Sequence, residues 1–198
     1  MDKFTNLPSD KQQRIIDAAL QVFGSYSYKK ASVSDIASAA GISKGMVFHY
    51  FGSKKALYFY LINMCGEILT AERENHLDKT ITDFFDRIKM ATLIKIAAMK
   101  KHPYILGFLK NVYSETDPEV AEEINITASS GKRNSWDALL IGIDTSKFRN
   151  PAAPELLAKL IVWAGEGAMD ERNDIHDIDK RMEEYIACLD LLKENFYS

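Results

Sequence analysis

Residues 32–54 read S-V-S-D-I-A-S-A-A-G-I-S-K-G-M-V-F-H-Y-F-G-S-K, and their pattern decides the fold. Val33, Ile36, Ala37 and Ala40 recur at i, i+3, i+4 and i+7, which is one face of a helix. Ser32 with Asp35 three residues on is a capping-box-like start. Gly41 can take positive φ, so the backbone can turn sharply there. Ser43 can then cap a second helix, in which Val47 and Phe51 (i, i+4) point back at the first. That assignment leaves Lys44, Gly45, Met46, Phe48, His49 and Tyr50 on the outside.

Such an outward face is a poor solubilising surface and a good match to a DNA major groove. A helix-turn-helix lays its second helix in that groove, with the first residues of the helix at base edges. Gly45, lacking Cβ, permits close approach, and Lys44 can meet phosphate or guanine O6/N7. Ser43 and the unpaired N–H groups at the helix start can bond phosphate. Tyr50 and His49 add polar donors, and Lys54, opening the next helix, can hold the flanking backbone. With Ser34 at the start of the first helix, the candidate DNA-binding set is Ser34, Ser43, Lys44, Gly45, Met46, His49, Tyr50 and Lys54.

The run I-A-x-x-A-G-I-S-K-G-M-V-F-H-Y-F-x-S-K-x-x-L, Ile36 to Leu57, resembles the tetracycline-repressor (TetR) family of bacterial transcription regulators. With the flanking helices, the resemblance covers about the first third of the chain. Two positions depart from it. Phe48 stands where the family usually has Tyr, and Ser27 where it usually has Gly. A Ser27 forced to positive φ would be strained by about 1 kcal/mol. The resemblance implies an all-α protein with a helix-turn-helix head at residues 1–52 (motif about 32–51) and an effector-binding and dimerisation domain at 53–198. It also implies a homodimer on a palindromic double-stranded operator, released by a small-molecule effector of largely apolar character.

Charge is partitioned in keeping with that. Residues 1–55 hold eight Lys/Arg and four Asp, a net +4, while the whole chain is −3. A basic head on an acidic body fits DNA binding by the head alone. Chance partition of surface charge is the bland alternative.

Going along the chain, Ser9 and Gln12 form a capping-box start for a helix running to about Ser25, with Ile16, Ala19, Leu20 and Phe23 on its inner face. Ser53 caps a long helix with Leu57, Leu61, Cys65 and Ile68 at helical spacing, reaching about Asn75. The stretch from Thr80 to Lys101 is apolar on most sides and is expected to be largely buried. Pro103 starts a short aromatic helix. Asp117-Pro118-Glu119 starts one that can reach Leu140, with Gly131 a weak point. Apolar helices follow at 154–169 and 178–196, separated by a polar loop at 170–177. These two look too apolar for one intramolecular face, which makes Leu160, Met182, Ile186 and Leu189 candidates for a dimer interface.

Aromatic and Met side chains can adapt to an apolar ligand. Phe85, Met99, Tyr104, Phe108, Tyr113, Trp136, Trp163 and Glu166 are the pocket candidates, with Phe84 and Met169 beside them. For most of these, a plain core role is the alternative. No H-E-x-x-H, Cys/His pair or Gly-rich phosphate loop is present, so no catalytic residue, metal site or cofactor is expected. Cys65 and Cys188 lie in separate apolar runs and read as buried free thiols of a cytoplasmic protein. The first residues lack the apolar core of a signal peptide, and no run approaches the ~20 apolar residues of a membrane span. Two other functions compete. A helical protein-interaction module leaves the Lys44–Tyr50 face unexplained, and a small helical enzyme lacks a convergent set of reactive groups.

Overall fold

The computed structural model describes residues 2–170 and 178–198; the side chains of 2, 103, 128–130, 132–134, 165–170, 178 and 179 lie outside the description. Among the described residues ten helices follow one another: α1 Asp2–Thr5, α2 Ser9–Ser25, α3 Val33–Ala40, α4 Lys44–Phe51, α5 Lys54–His76, α6 Phe84–Lys101, α7 Pro103–Tyr113, α8 Ala121–Leu140, α9 Ala153–Asp170 and α10 Ile178–Phe196. The described residues contain no strand, only isolated bridges between Asp83 and Asp144 and between Phe148 and Tyr197. The all-α architecture expected from the periodicity is what forms. The loop expected at 170–177 lies almost wholly outside the described residues.

By packing, the chain falls into two compact units. The first comprises Met1–Leu69 and Ala98–Ala128, and the second Thr70–Ala97 and Ser129–Ser198. The head expected at residues 1–52 lies within the first unit, which also takes in α7.

In the first unit, α2 is the central helix, with Ile15, Ala19 and Phe23 fully buried. It meets α7 at two glycines. A Cβ on Gly24 would sit 3.1 Å from the Phe108 backbone nitrogen, a tight contact that a larger residue could make only if the two backbones moved slightly apart. Asn111 of α7 closes the end of α2: its Nδ2 donates to the Phe23 and Gly24 carbonyls, both at 2.9 Å. These carbonyls would otherwise be left open at the helix end.

In the second unit, Phe84, Phe85 and Ile88 of α6 pack with Leu139, Phe148, Leu157, Ile161 and Leu189. Arg87 is only 2% exposed, yet each nitrogen of its guanidinium has a partner. It donates to the carbonyls of Ile81 (2.6 Å), Lys79 (3.1 Å), Leu139 (3.2 Å) and Ile141 (3.4 Å). Four carbonyls from two chain segments are thus tied to one planar fork. Nearby, Asp83 accepts from Lys147 Nζ at 2.9 Å and Tyr197 Oη at 3.3 Å, and its carboxylate lies 3.1 Å from Lys193 Nζ.

Several sequence expectations are corrected. Ser9 is the first residue of α2, not its cap: Pro8 takes that place without a side-chain bond, and Gln12 turns to carbonyls before the helix. Ser27 is not at positive φ, so the feared strain is absent. α6 begins at Phe84 and is only partly buried, with Leu93 52% exposed. α8 runs unbroken through Gly131. Cys65 is buried, and burial pushes its thiol up to about 12, but Cys188 is exposed because it lies on the outer side of α10. No described helix is long and apolar enough to cross a membrane.

Asp83 provides a test of the polar core. Burial works to raise its pKa, but hydrogen bonds from Lys147, the Asp86 backbone and Lys193 outweigh this and hold it at about 2, against an ordinary 3.8. A depressed carboxylate stabilises the fold above its unfolded pKa and loses that contribution as pH falls through the folded value. Asp83→Asn is therefore expected to be less stable than the parent near neutrality, with the gap narrowing from about pH 4 down to about 2. Chemical denaturation of both proteins across that range checks it.

Candidate nucleic-acid interface

The site is built from the turn outward. Ser32 is in extended conformation and its Oγ accepts from the Ser34 backbone N–H at 3.1 Å, capping α3. At the other end Gly41 sits at φ 67°, ψ 35°. Its N–H bonds the Ser38 carbonyl at 3.2 Å, and the Ile42 N–H reaches back to the Ala37 carbonyl at 3.0 Å. This is a Schellman closure, for which a left-handed glycine is the unstrained choice. Two residues later Ser43 accepts from the Met46 N–H at 3.3 Å and opens α4. Capping residue and turn glycine are where the sequence puts them.

On α4, Lys44, Gly45 and His49 are exposed, Phe48 is 39% exposed and Met46 is half-buried. Val47 and Phe51 face inward as expected. Tyr50 does not face outward: it is 6% exposed, and this corrects the sequence reading. The reason is helical geometry. Tyr50 is i+3 from Val47, on the same face, and the Phe4 ring of α1 lies against it at 6.1 Å. Ser34 and Ser43 are exposed at the starts of their helices.

Lys54 is also placed differently from expectation. Its ammonium lies 4.3 Å from the centroid of the Tyr28 ring, a cation–π arrangement. Burial lowers its pKa, against the opposing pull of Glu119, Asp117 and Glu115. Tyr28 is itself held by that acidic connector: its N–H donates to Glu115 at 2.6 Å and its hydroxyl to Glu119 at 2.8 Å. Lys55 pairs with Glu123 at 2.9 Å. Tyr28 and Phe4 were missed by sequence reasoning. The weak signal for Phe4 was a lone aromatic before a helix start; for Tyr28 there was none short of a contact across 91 positions.

The described pocket candidates divide between the two units. Phe108 packs in the first unit's core against Tyr58 and Phe23, at 5.3 and 6.2 Å, and Met99 is fully buried in the same unit. Tyr104 and Tyr113 are 43% and 41% exposed. In the second unit, Phe84 and Phe85 are core residues, and Trp136 packs against that core. Trp163 is 65% exposed and cannot line the interior of its own unit. The Glu166 and Met169 side chains lie outside the described residues. Of the dimer candidates, Leu160 is 45% exposed, Met182 and Ile186 are half-buried, and Leu189 is taken up by the second unit's core at 1% exposure. Among the described residues no group of three His, Cys, Asp or Glu side chains could hold a metal ion.

Residues 15–61 match the family model for bacterial regulatory proteins of the tetR family. Over these residues the chain is of the TetR family. Among its relatives, the HTH-type transcriptional repressor Rv1474c of Mycobacterium tuberculosis is 41% identical over 61 residues, 31% of this chain and 33% of that protein. The HTH-type transcriptional regulator BetI of Rhizobium meliloti is 30% identical over 135 residues, 67% of this chain and 64% of that protein. The match to the first of these relatives thus spans a third of its length. A solved TetR family regulator from Chloroflexus aurantiacus shares the fold across 100% of this chain and 98% of its own, with TM-score 0.72 and 22% identity. The matched region runs from within α2 to within α5 and contains the α3–α4 turn.

Gly45 lies open: a Cβ there would find only Ser43 Oγ, 3.9 Å away. Gly45→Leu is expected to leave the unfolding midpoint unchanged or raised, by up to about 1 kcal/mol in stability, because glycine is a poor helix former. Denaturant unfolding of the variant checks this.

Proposed function

We propose that this TetR-family chain is a DNA-binding transcriptional regulator. It acts as a homodimer on a palindromic operator, represses by occupying it, and is released by a small molecule. The observation that carries this reading is the α3–Gly41–α4 turn with its exposed Lys44, Gly45 and His49. Ser34, Ser43 and Lys44 supply phosphate contacts, and Met46 and His49 meet base edges. Tyr50 supports the helix from within, and Lys54 serves the flanking backbone only if DNA draws it off the Tyr28 ring. Steric exclusion of polymerase suffices for repression, so the mechanism calls for no catalytic group and no cofactor. The protein works in the cytoplasm, beside its DNA.

The dimer reading is supported by α9, where Leu156, Leu160 and Trp163 are 62%, 45% and 65% exposed at i, i+4 and i+7. Such a stripe in water favours burial against a second copy. Two half-sites about one helical turn apart, roughly 34–36 Å, would then be read by the two heads. For the effector, an apolar molecule suits the aromatic and Met content of α6 to α9.

Two measurements test the proposal. Lys44→Ala is expected to weaken binding to DNA selected from a randomised pool and to flatten the salt dependence by about one unit. Unchanged affinity would remove Lys44 from the interface. Trp163→Glu is expected to halve the solution mass while leaving helix content intact; a parent that is already monomeric would sink the dimer.

A further inference from the structure

We propose that Phe4 is a positioning residue of the DNA interface: through the Tyr50 ring it sets the place of His49 and of the last turn of α4. The inference rests on the DNA-binding reading of α3 and α4 given above. It concerns a helix, α1, to which neither the family match nor the turn geometry assigns a role, since the match begins at residue 15.

The need for such a residue comes from the size of α4. A helix of eight residues is marginal alone, so its orientation is decided by what grips it. α4 buries three side chains, Val47, Tyr50 and Phe51. Two of these meet Phe4. The Phe4 ring is 4.8 Å from Phe51 and 6.1 Å from Tyr50, and 5.6 Å from Tyr60 of α5. Phe4 is 1% exposed, so it touches no DNA itself. Tyr50 then meets the exposed His49 ring edge-on at 5.7 Å and 67°. Aromatic edges prefer particular geometries, so each ring limits the next.

α1 is also fastened to the rest of the head. Gln12 of α2 donates its Nε2 to the carbonyls of Thr5 at 3.0 Å and Leu7 at 2.8 Å, and the Leu7 N–H closes on the Phe4 carbonyl at 3.0 Å. The chain of support runs from α2 through Gln12 to Phe4, then to Tyr50 and His49. A base-edge hydrogen bond weakens steeply with misalignment, whereas attraction between a lysine and phosphate does not. Loosening Phe4 should therefore cost sequence discrimination and spare general DNA affinity.

The experiment uses the full chain and its Phe4→Ala and Phe4→Leu variants, each well below its own unfolding midpoint. Affinity is measured for a DNA that the parent selects from a randomised pool and for an unrelated duplex at the same salt. The expected result is a loss of about tenfold on the selected DNA with Phe4→Ala, and unchanged affinity for the unrelated duplex. If Phe4→Ala does not fold, the same comparison is decided by Phe4→Leu, which keeps apolar volume but lacks the ring edge. Folded variants that match the parent on the selected DNA, or that lose equally on both duplexes, would overturn the proposal. A parent that selects no DNA at all would instead overturn the DNA-binding reading beneath it, and this inference with it.

Discussion

An eight-residue helix in water gains too few hydrogen bonds to hold its own shape, let alone its direction. Everything that makes α4 usable as a reading element therefore lies outside it. Gly41 at positive φ turns the chain so that α4 can cross α3, and Ser43 occupies the donors at its first turn. Val47 and Phe51 bury its inner face, and Phe4 closes the far end. These grips together hold the exposed face of Lys44, Gly45 and His49. The head is best understood as a device for orienting two turns of helix.

That orientation is extended into the rest of the first unit by unusually close packing. Gly24 lets the backbones of α2 and α7 approach, and Asn111 takes the carbonyls that the end of α2 leaves open. The acidic connector after α7 then reaches the head with Glu115 and Glu119 on Tyr28, and Glu123 in the first turn of α8 pairs with Lys55. Two cations at the start of α5, Lys54 and Lys55, are thereby engaged within the protein, while Lys29, Lys30 and Lys44 remain exposed. Net charge alone would overstate the field the head presents to a polyanion.

The second unit solves a different problem. Its core is aromatic and aliphatic around Phe84, Phe85 and Phe148, but its connecting segments are irregular and carry carbonyls with no helical partner. Arg87 collects four of these, and Asp83 collects Lys147, Lys193 and Tyr197. Buried charge is tolerated here because each nitrogen of the fork has an acceptor. On the outside of the same unit, α9 leaves Leu156, Leu160 and Trp163 in water.

The sequence by itself determined what depends on neighbours within a turn or two. Helical periodicity placed the helices, Gly41 placed the turn, and Ser32 and Ser43 placed the caps, because those bonds span at most a few residues. The motif also carried the family, since its residues sit together in one run. Tertiary structure decided the rest. Tyr50 is buried because Phe4, far away in the chain, covers it, and Lys54 turns to Tyr28 because residues 91 positions apart hold that ring. Leu189 and Cys188 are neighbours on α10, yet one is in the core and the other in water. A periodic pattern says that a helix has an inner face; only the partners that arrive from elsewhere say how wide that face is.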